Sequence, residues 1–345
     1  MFPAPAGGLS ALGSGRSAGE NRRMSSDRPP AVAGGARRTG APARTVDTPS
    51  GRRPGQGLLQ DSAGDAVVRP GAAYALSAVL AVITLVAAAG SFLLPGVLGG
   101  PAVTQGTLRG TALVLTVLAV PLLVAAVSFA RRDSARALVV WFGALAYITY
   151  QAVLFLFGTP FNSLFLAYVA MLSLALWSAA ALVRQTGLAA FNARFDGSLP
   201  ARGIAGYAFV IAVLNALIWL RTIVPAMLSD TPPAFLVGSV MTTNPVFVQD
   251  LAVWLPLLLV GSWWLWTDRP LGRLVVGALL VLLVLEGVGV ATDQWFGATA
   301  DPGTPFASLA AIPLFAGLAV IGMVPLLVYL RHLGAGRGAD SGSAR

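Results

Sequence analysis

Eight stretches of roughly 20 or more mainly apolar residues follow one another along this chain, separated by short polar turns. A helix rising 1.5 Å per residue crosses about 30 Å of hydrocarbon in such a stretch. The fold class this predicts is all-α: a polytopic transmembrane helix bundle of eight spans. Composition agrees, with 56% hydrophobic residues, 11% charged residues and a mean hydropathy of +0.75 over 345 residues, outside the range of water-soluble domains.

The spans read as Ala72–Leu94, Thr111–Ala130, Ala137–Phe157, Pro160–Val183, Gly203–Leu228, Thr243–Thr267, Leu271–Ala291 and Thr304–Leu330. They define a transmembrane domain over residues 72–330. Residues 1–71 are rich in Gly, Ala, Pro, Arg and Ser without periodicity, which predicts a disordered cytoplasmic tail or a chain whose translation begins at Met24. Residues 331–345 form a second polar tail.

Charge sets the orientation. All 23 basic residues are Arg, ten of them before residue 72. Arg131, Arg132 and Arg136 follow the second span, and Arg184, Arg194 and Arg202 follow the fourth. Arg269 and Arg273 follow the sixth, and Arg331 and Arg337 the eighth. The alternate loops hold Arg109 with Asp230, Asp293 and Asp301. By the positive-inside rule both termini are expected in the cytoplasm. The net charge of +9 is therefore read as topology, and a nucleic-acid partner is not expected.

Helices that start at the outer face open with Thr159-Pro160, Asn244-Pro245 and Thr304-Pro305. These pairs predict side-chain caps with proline in the first turn, where its missing N–H costs nothing. Pro121, Pro256, Pro313 and Pro325 are expected to kink or loosen their helices. The sequence shows no convincing repeat of four plus four spans, so an inverted-repeat transporter is not indicated.

Ionisable residues inside spans are costly and mark function by default. Three stand out, Arg221, Asp250 and Glu286, each predicted in the outer half of its helix. Uncharged polar residues fall at similar depth. Tyr147, Tyr150 and Gln151 share a face of span three, Asn162 and Ser163 sit just inside span four, and Asn215 lies past the middle of span five. Asp293, seven residues after Glu286, extends that face toward the outer mouth. The predicted site is an outward-facing polar cavity lined by Arg221, Asp250, Glu286, Tyr150, Gln151, Asn162, Asn215 and Asp293. The competing structural reading has Arg221 pairing with a carboxylate to lock helices five to seven. Trp263, Trp264 and Trp266 read as an interfacial aromatic belt.

With no Cys and a single His, His332, the chain lacks thiolate chemistry, paired-histidine haem ligation and a multi-histidine metal centre. No cofactor, metal or nucleotide motif is present. The run N-P-V-F-V-Q-D at Asn244–Asp250, the turn D-R-P-L-G at Asp268–Gly272 and the segment Phe161–Trp177 resemble a family of bacterial, actinobacteria-like polytopic integral membrane proteins with no established activity. The resemblance covers residues 72–330, implies a multi-pass protein of the bacterial plasma membrane, and directs attention to Asn162, Ser163, Asn244 and Asp250.

The function these residues predict is binding or transport of a small polar or cationic solute, or a proton, with Asp250 and Glu286 carrying the compensating charge. Membrane lipid is the expected surrounding partner; a protein partner is left open. One alternative is a membrane enzyme acting on a lipid or lipid-linked substrate, disfavoured by the missing D-x-x-x-D cluster and small external loops. Another is a structural or sensory subunit.

Overall fold

Within hydrocarbon no water satisfies the backbone, so each long apolar run closes its hydrogen bonds internally. The computed structural model describes residues 66–233, 235–236, 239–304 and 306–334. Among them eight helices are long and apolar enough to cross a membrane. We label these α1 (Ala72–Leu93), α2 (Ala102–Ala130), α3 (Ala135–Gly158), α4 (Phe165–Gln185), α5 (Ala201–Met227), α6 (Pro245–Trp266), α7 (Pro270–Ala300) and α8 (Ile312–Arg331). The bundle is the eight-span, all-α architecture that the apolar runs predict. Helix α7 is its centre, packing on α2, α3, α6 and α8. Much of α5 and α8 faces outward, exposing Leu217, Ile218, Val320 and Val324 among others.

Four boundaries differ from the sequence reading. Helix α2 begins at Ala102, and the apparent Gly/Thr-rich loop before residue 111 is its first two turns. Gly106 and Gly110, spaced i, i+4, let α2 touch α7 backbone to backbone. A Cβ on Gly106 would stand 2.9 Å from Gly297 Cα, and one on Gly110 2.9 Å from Asp293 Cα. The same contact carries α7 on to Ala300, so residues 292–300 are helix rather than loop.

Helix α4 starts at Phe165, not Pro160. Residues preceding proline disfavour helical angles, and Thr159 is extended (φ −114°, ψ 150°), closing α3. The turn into α4 is held by Asn162, whose Oδ1 accepts from Leu164 N at 2.9 Å. Helix α8 starts late too, after a short 3₁₀ turn, Leu309–Ala311, capped by Ser308. Pro313 thus lies in a first turn rather than mid-helix. Of the three predicted Xaa-Pro caps, Asn244-Pro245 is the one realised as such: Asn244 Oδ1 accepts from Val246 N at 2.9 Å. Pro305 lies outside the described residues.

The structure also corrects the reading that no repeat is present. From the second half of α2 into α3, and from α6 into α7, residues 135 positions apart adopt the same local structure, placing equivalent elements in two successive sets of four helices. A π-helical turn at Leu115–Ala119 precedes Pro121 in α2, and one at Asp250–Trp254 precedes Pro256 in α6. In both, the ring would clash with the carbonyl four residues earlier, and the wider turn relieves that clash without a break. Each proline is followed by Leu-Leu, then a turn in which Asp133 (φ 57°) and Asp268 (φ 55°) are left-handed. Asp tolerates that region better than most residues with a Cβ. Helices α3 and α7 begin two residues beyond these aspartates. Because an even number of spans separates equivalents, the repeat is parallel, not inverted.

Where α3 meets α7, equivalent residues face each other, whereas the more extensive α2–α7 contact has no counterpart of similar size between α6 and α3. A Cβ on Gly143 of α3 would stand 2.8 Å from the carbonyl of Ala278, its counterpart on α7. The correspondence fails at the periphery. Helices α1 and α4 pack along their length, joined by a Ser91–Tyr168 hydroxyl bond of 2.7 Å, whereas α5 and α8 barely meet.

The arginine-bearing loops gather at one end. There Arg194 pairs with Asp133, and Asp133 Oδ1 accepts from Val67 N at 2.7 Å. Arg136 Nε donates to Leu333 O at 2.7 Å, and Gly334 N to Arg194 O at 2.9 Å. Val67 and Leu333 are both 0% exposed. Residues 66–68 and 332–334, read from sequence as parts of the tails, therefore pack against the bundle. Of the two predicted tails, residues 1–65 and 335–345 lie outside the described residues.

Candidate functional site

Three amide and carboxyl side chains inside the bundle lie at one level. Counting from the arginine-rich end, Gln151 on α3, Glu286 on α7 and Asp250 on α6 each lie 16 residues in, about 24 Å along the helix. Trp219 on α5 and Thr111 on α2 fall within about one turn of that level. Asp293 is about two turns further out.

Glu286 sits where the two units meet. Gln151, its counterpart in the first unit, donates Nε2 to Glu286 Oε1 at 2.8 Å. Leu285 and Gly287 on either side are buried while Glu286 keeps partial accessibility. Two turns outward, Asp293 projects from the same α7 face and accepts from Thr111 Oγ1 at 3.0 and 3.1 Å. Asp250, the first residue of the second π-turn, accepts from Trp219 Nε1 at 2.8 Å and also meets the Tyr150 side chain. Glu286 is close enough to Asp250 and Asp293 to feel both charges.

No cation neutralises this layer by direct pairing. Among the described residues the ion pairs are Arg194–Asp133 and Arg273–Asp268, both at the arginine-rich end. Arg221, expected in the cavity or paired with a carboxylate, is exposed on α5 and makes neither contact. At this point of α5 the inward side chain is Trp219, two residues away and so about 200° around the helix. Asn162 is spent on the turn into α4. Asn215 is partly buried, with no side-chain hydrogen bond among the described residues. Tyr150 and Gln151 are buried and face the junction.

Three contributors were not singled out from sequence, Trp219, Thr111 and Gln249, while Tyr147 was read on the face of Tyr150 and Gln151 without being placed in the cavity lining. The Gln249 amide spans α3 and its own helix, donating to Tyr150 O at 3.4 Å and accepting from Trp254 Nε1 at 3.2 Å. Each faces a helix distant in sequence, and α2's register was unknown while its first turns read as loop. A signal for one was available: Thr111 follows the Gly106-x-x-x-Gly110 contact directly.

A groove of about 430 Å³ lies between α7 and α8, lined by Val288, Ala291, Thr292, Trp295, Ile312 and Ala316 with Ala319 and Val320. It is apolar. Val288, Ala291 and Trp295 occupy the α7 side opposite Glu286 and Asp293, so groove and carboxylate layer are separated by the helix. Trp263 and Trp266 near the inner end of α6 are exposed, as an interfacial belt requires.

Comparison of the chain with family models, with curated proteins and with solved structures finds no match.

Proposed function

We propose that this multi-pass membrane protein binds and moves a small cationic solute through the junction of its two four-helix units, with Glu286 as the central charge-compensating group. The observation that carries the reading is the position of Glu286: hydrogen-bonded by its repeat counterpart Gln151, within the field of Asp250 and Asp293, and without an ion-paired arginine. Isolated negative charge at this depth is expensive unless protonated or met by a cation. Transporters built from repeats commonly place their sites near mid-membrane between the repeats.

The arginine-rich end is assigned to the cytoplasm, and the carboxylate layer then lies in the outer half. A bacterial plasma membrane is the setting suggested by the family resemblance. The lipid-enzyme alternative gains nothing from the α7–α8 groove, because the carboxylates face the other way. The structural alternative required Arg221 to hold a carboxylate, and Arg221 is exposed.

Proteoliposomes test the reading. Wild-type protein should take up small cations such as methylammonium down an imposed gradient, and Glu286→Gln should abolish uptake while inserting and eluting normally. Undiminished uptake by Glu286→Gln removes the assignment.

A further inference from the structure

The turn between α2 and α3 carries two adjacent arginines that are held in place without being neutralised. The Arg131 guanidinium carbon stands 5.5 Å from the centroid of the Tyr74 ring on α1, and that of Arg132 stands 5.6 Å from Phe129. Tyr74 is itself set against Trp141, with ring centroids 4.9 Å apart. An aromatic ring engages the face of a guanidinium and leaves its edge, where the N–H donors lie, open. Both arginines are exposed, and among the described residues neither pairs with a carboxylate. Other arginines at this end are spent: Arg136 donates to Leu333 O, and Arg194 and Arg273 donate to aspartates. Asp133, the carboxylate next in sequence, is occupied by Arg194 and Val67 N.

Neither the turn nor the topology requires this arrangement. In the second unit Trp266 and Thr267 stand where Arg131 and Arg132 do, yet Asp268 adopts the same left-handed conformation as Asp133. Positive charge for orientation is also supplied by Arg184, Arg202 and Arg331. What sets Arg131 and Arg132 apart is that two guanidiniums on consecutive residues are fixed on rings with their donors unspent.

From this arrangement we infer that Arg131 and Arg132 bind the headgroup phosphate of an anionic phospholipid in the leaflet at the arginine-rich end, with Tyr74 and Phe129 as positioning rings. Guanidinium edges match phosphate oxygens in bidentate fashion, and basic sites at the cytoplasmic ends of membrane helices recognise anionic headgroups. Helix α3 begins at Ala135, so its N-terminal dipole adds positive potential beside the pair. The surface leading to the arginines selects a lipid over free phosphate. Pro121, Val124, Ser128 and Phe129 are exposed along the α2 face that ends at Arg132. Ser128 donates its hydroxyl to Val124 O at 2.7 Å, which leaves that face apolar. From Pro121 to Arg132 is about 16 Å along the helix axis, close to the ~15 Å of hydrocarbon in one leaflet. An acyl chain lying along this face therefore brings its phosphate to the guanidiniums. The site is about 24 Å from the level of Glu286, and the inference does not depend on the transport reading.

Thermal unfolding of the full chain in neutral detergent micelles, at fixed pH and ionic strength, tests this because a ligand that binds the folded state raises its midpoint. Dioleoyl phosphatidylglycerol should raise the midpoint saturably with its mole fraction in the micelle. Dioleoyl phosphatidylcholine, with the same chains and no net charge, should act at least about tenfold more weakly, and inorganic phosphate should have no effect. Arg131→Gln/Arg132→Gln should weaken the apparent affinity for phosphatidylglycerol about tenfold, the loss of roughly one hydrogen bond between charged groups. Tyr74→Leu, which keeps both arginines and removes one ring, should weaken it about threefold. Arg202→Gln/Arg331→Gln, the same change of charge at the same end, should leave it within about twofold of wild type. The inference is overturned by no response to phosphatidylglycerol, by an equal response to phosphatidylcholine, or by equal losses in the two double variants. A response to inorganic phosphate matching that to the lipid overturns it as well, since the site would then hold a free anion.

Discussion

Gln151 and Glu286 occupy the same position in two successive four-helix units and hydrogen-bond to each other at 2.8 Å where those units meet. One member is neutral and the other ionisable. A sequence-equivalent pair has thus become an asymmetric donor and acceptor, which gives the junction one acidic group.

Removing the neutral member should expose the cost of the other. In Gln151→Leu the Glu286 carboxyl loses its amide donor, and we expect destabilisation of about 1–3 kcal/mol. Adding Glu286→Gln to Gln151→Leu should return part of that loss. Chemical unfolding in mixed micelles measures both; equal stability of the single and double variants contradicts the pairing.

Trp219 and Asp250 form a similar unit between α5 and α6. Trp219→Phe should cost about 1–3 kcal/mol, through the lost charge-assisted bond. In a double-mutant cycle with Asp250→Asn the two effects should be non-additive. Additivity would mean that indole and carboxylate do not interact in the membrane.

The Gly106–Gly297 approach leaves no room for a side chain. Gly106→Leu should separate α2 from α7 and displace Thr111 from Asp293, yielding protein that elutes as aggregate. Gly317 has nothing near its missing Cβ, so Gly317→Ala should elute as wild type. A monodisperse Gly106→Leu protein would contradict the contact.

Asp133 and Asp268 share a backbone conformation but differ in load. Asp133 accepts from Val67 N besides pairing with Arg194, whereas Asp268 pairs with Arg273 from an exposed turn. Asp133→Asn should lower the unfolding midpoint measurably, while Asp268→Asn, which also tolerates the left-handed region, should stay within about 0.5 kcal/mol of wild type. The reverse order would invalidate the comparison.

Because the chain has no cysteine, single cysteines report topology cleanly. Ser198 lies exposed at the arginine-rich end and Ser229 exposed at the other. A membrane-impermeant maleimide should label Ser229→Cys in intact cells and Ser198→Cys only after permeabilisation. The opposite pattern inverts the bundle.

The apolar runs alone determined the class, the span count and the separation of arginine-rich from arginine-poor loops, because transfer from water to hydrocarbon is a local property of each segment. They also placed Asp250, Glu286 and Gln151 at a common depth, since depth follows from counting residues along a helix. Which side chains meet was decided only by the tertiary structure. Arg221 and Trp219 are two residues apart, and rotation alone makes one face outward and the other donate to Asp250. The repeat was hidden for a related reason. Its signal is a shared pair of prolines, each relieved by a π-turn, and two left-handed aspartates within otherwise interchangeable Leu, Val and Ala. Hydrophobic identity is weakly constrained in a bilayer, whereas backbone geometry and packing are not. The junction of Gln151 with Glu286 became visible once the two units were folded against each other.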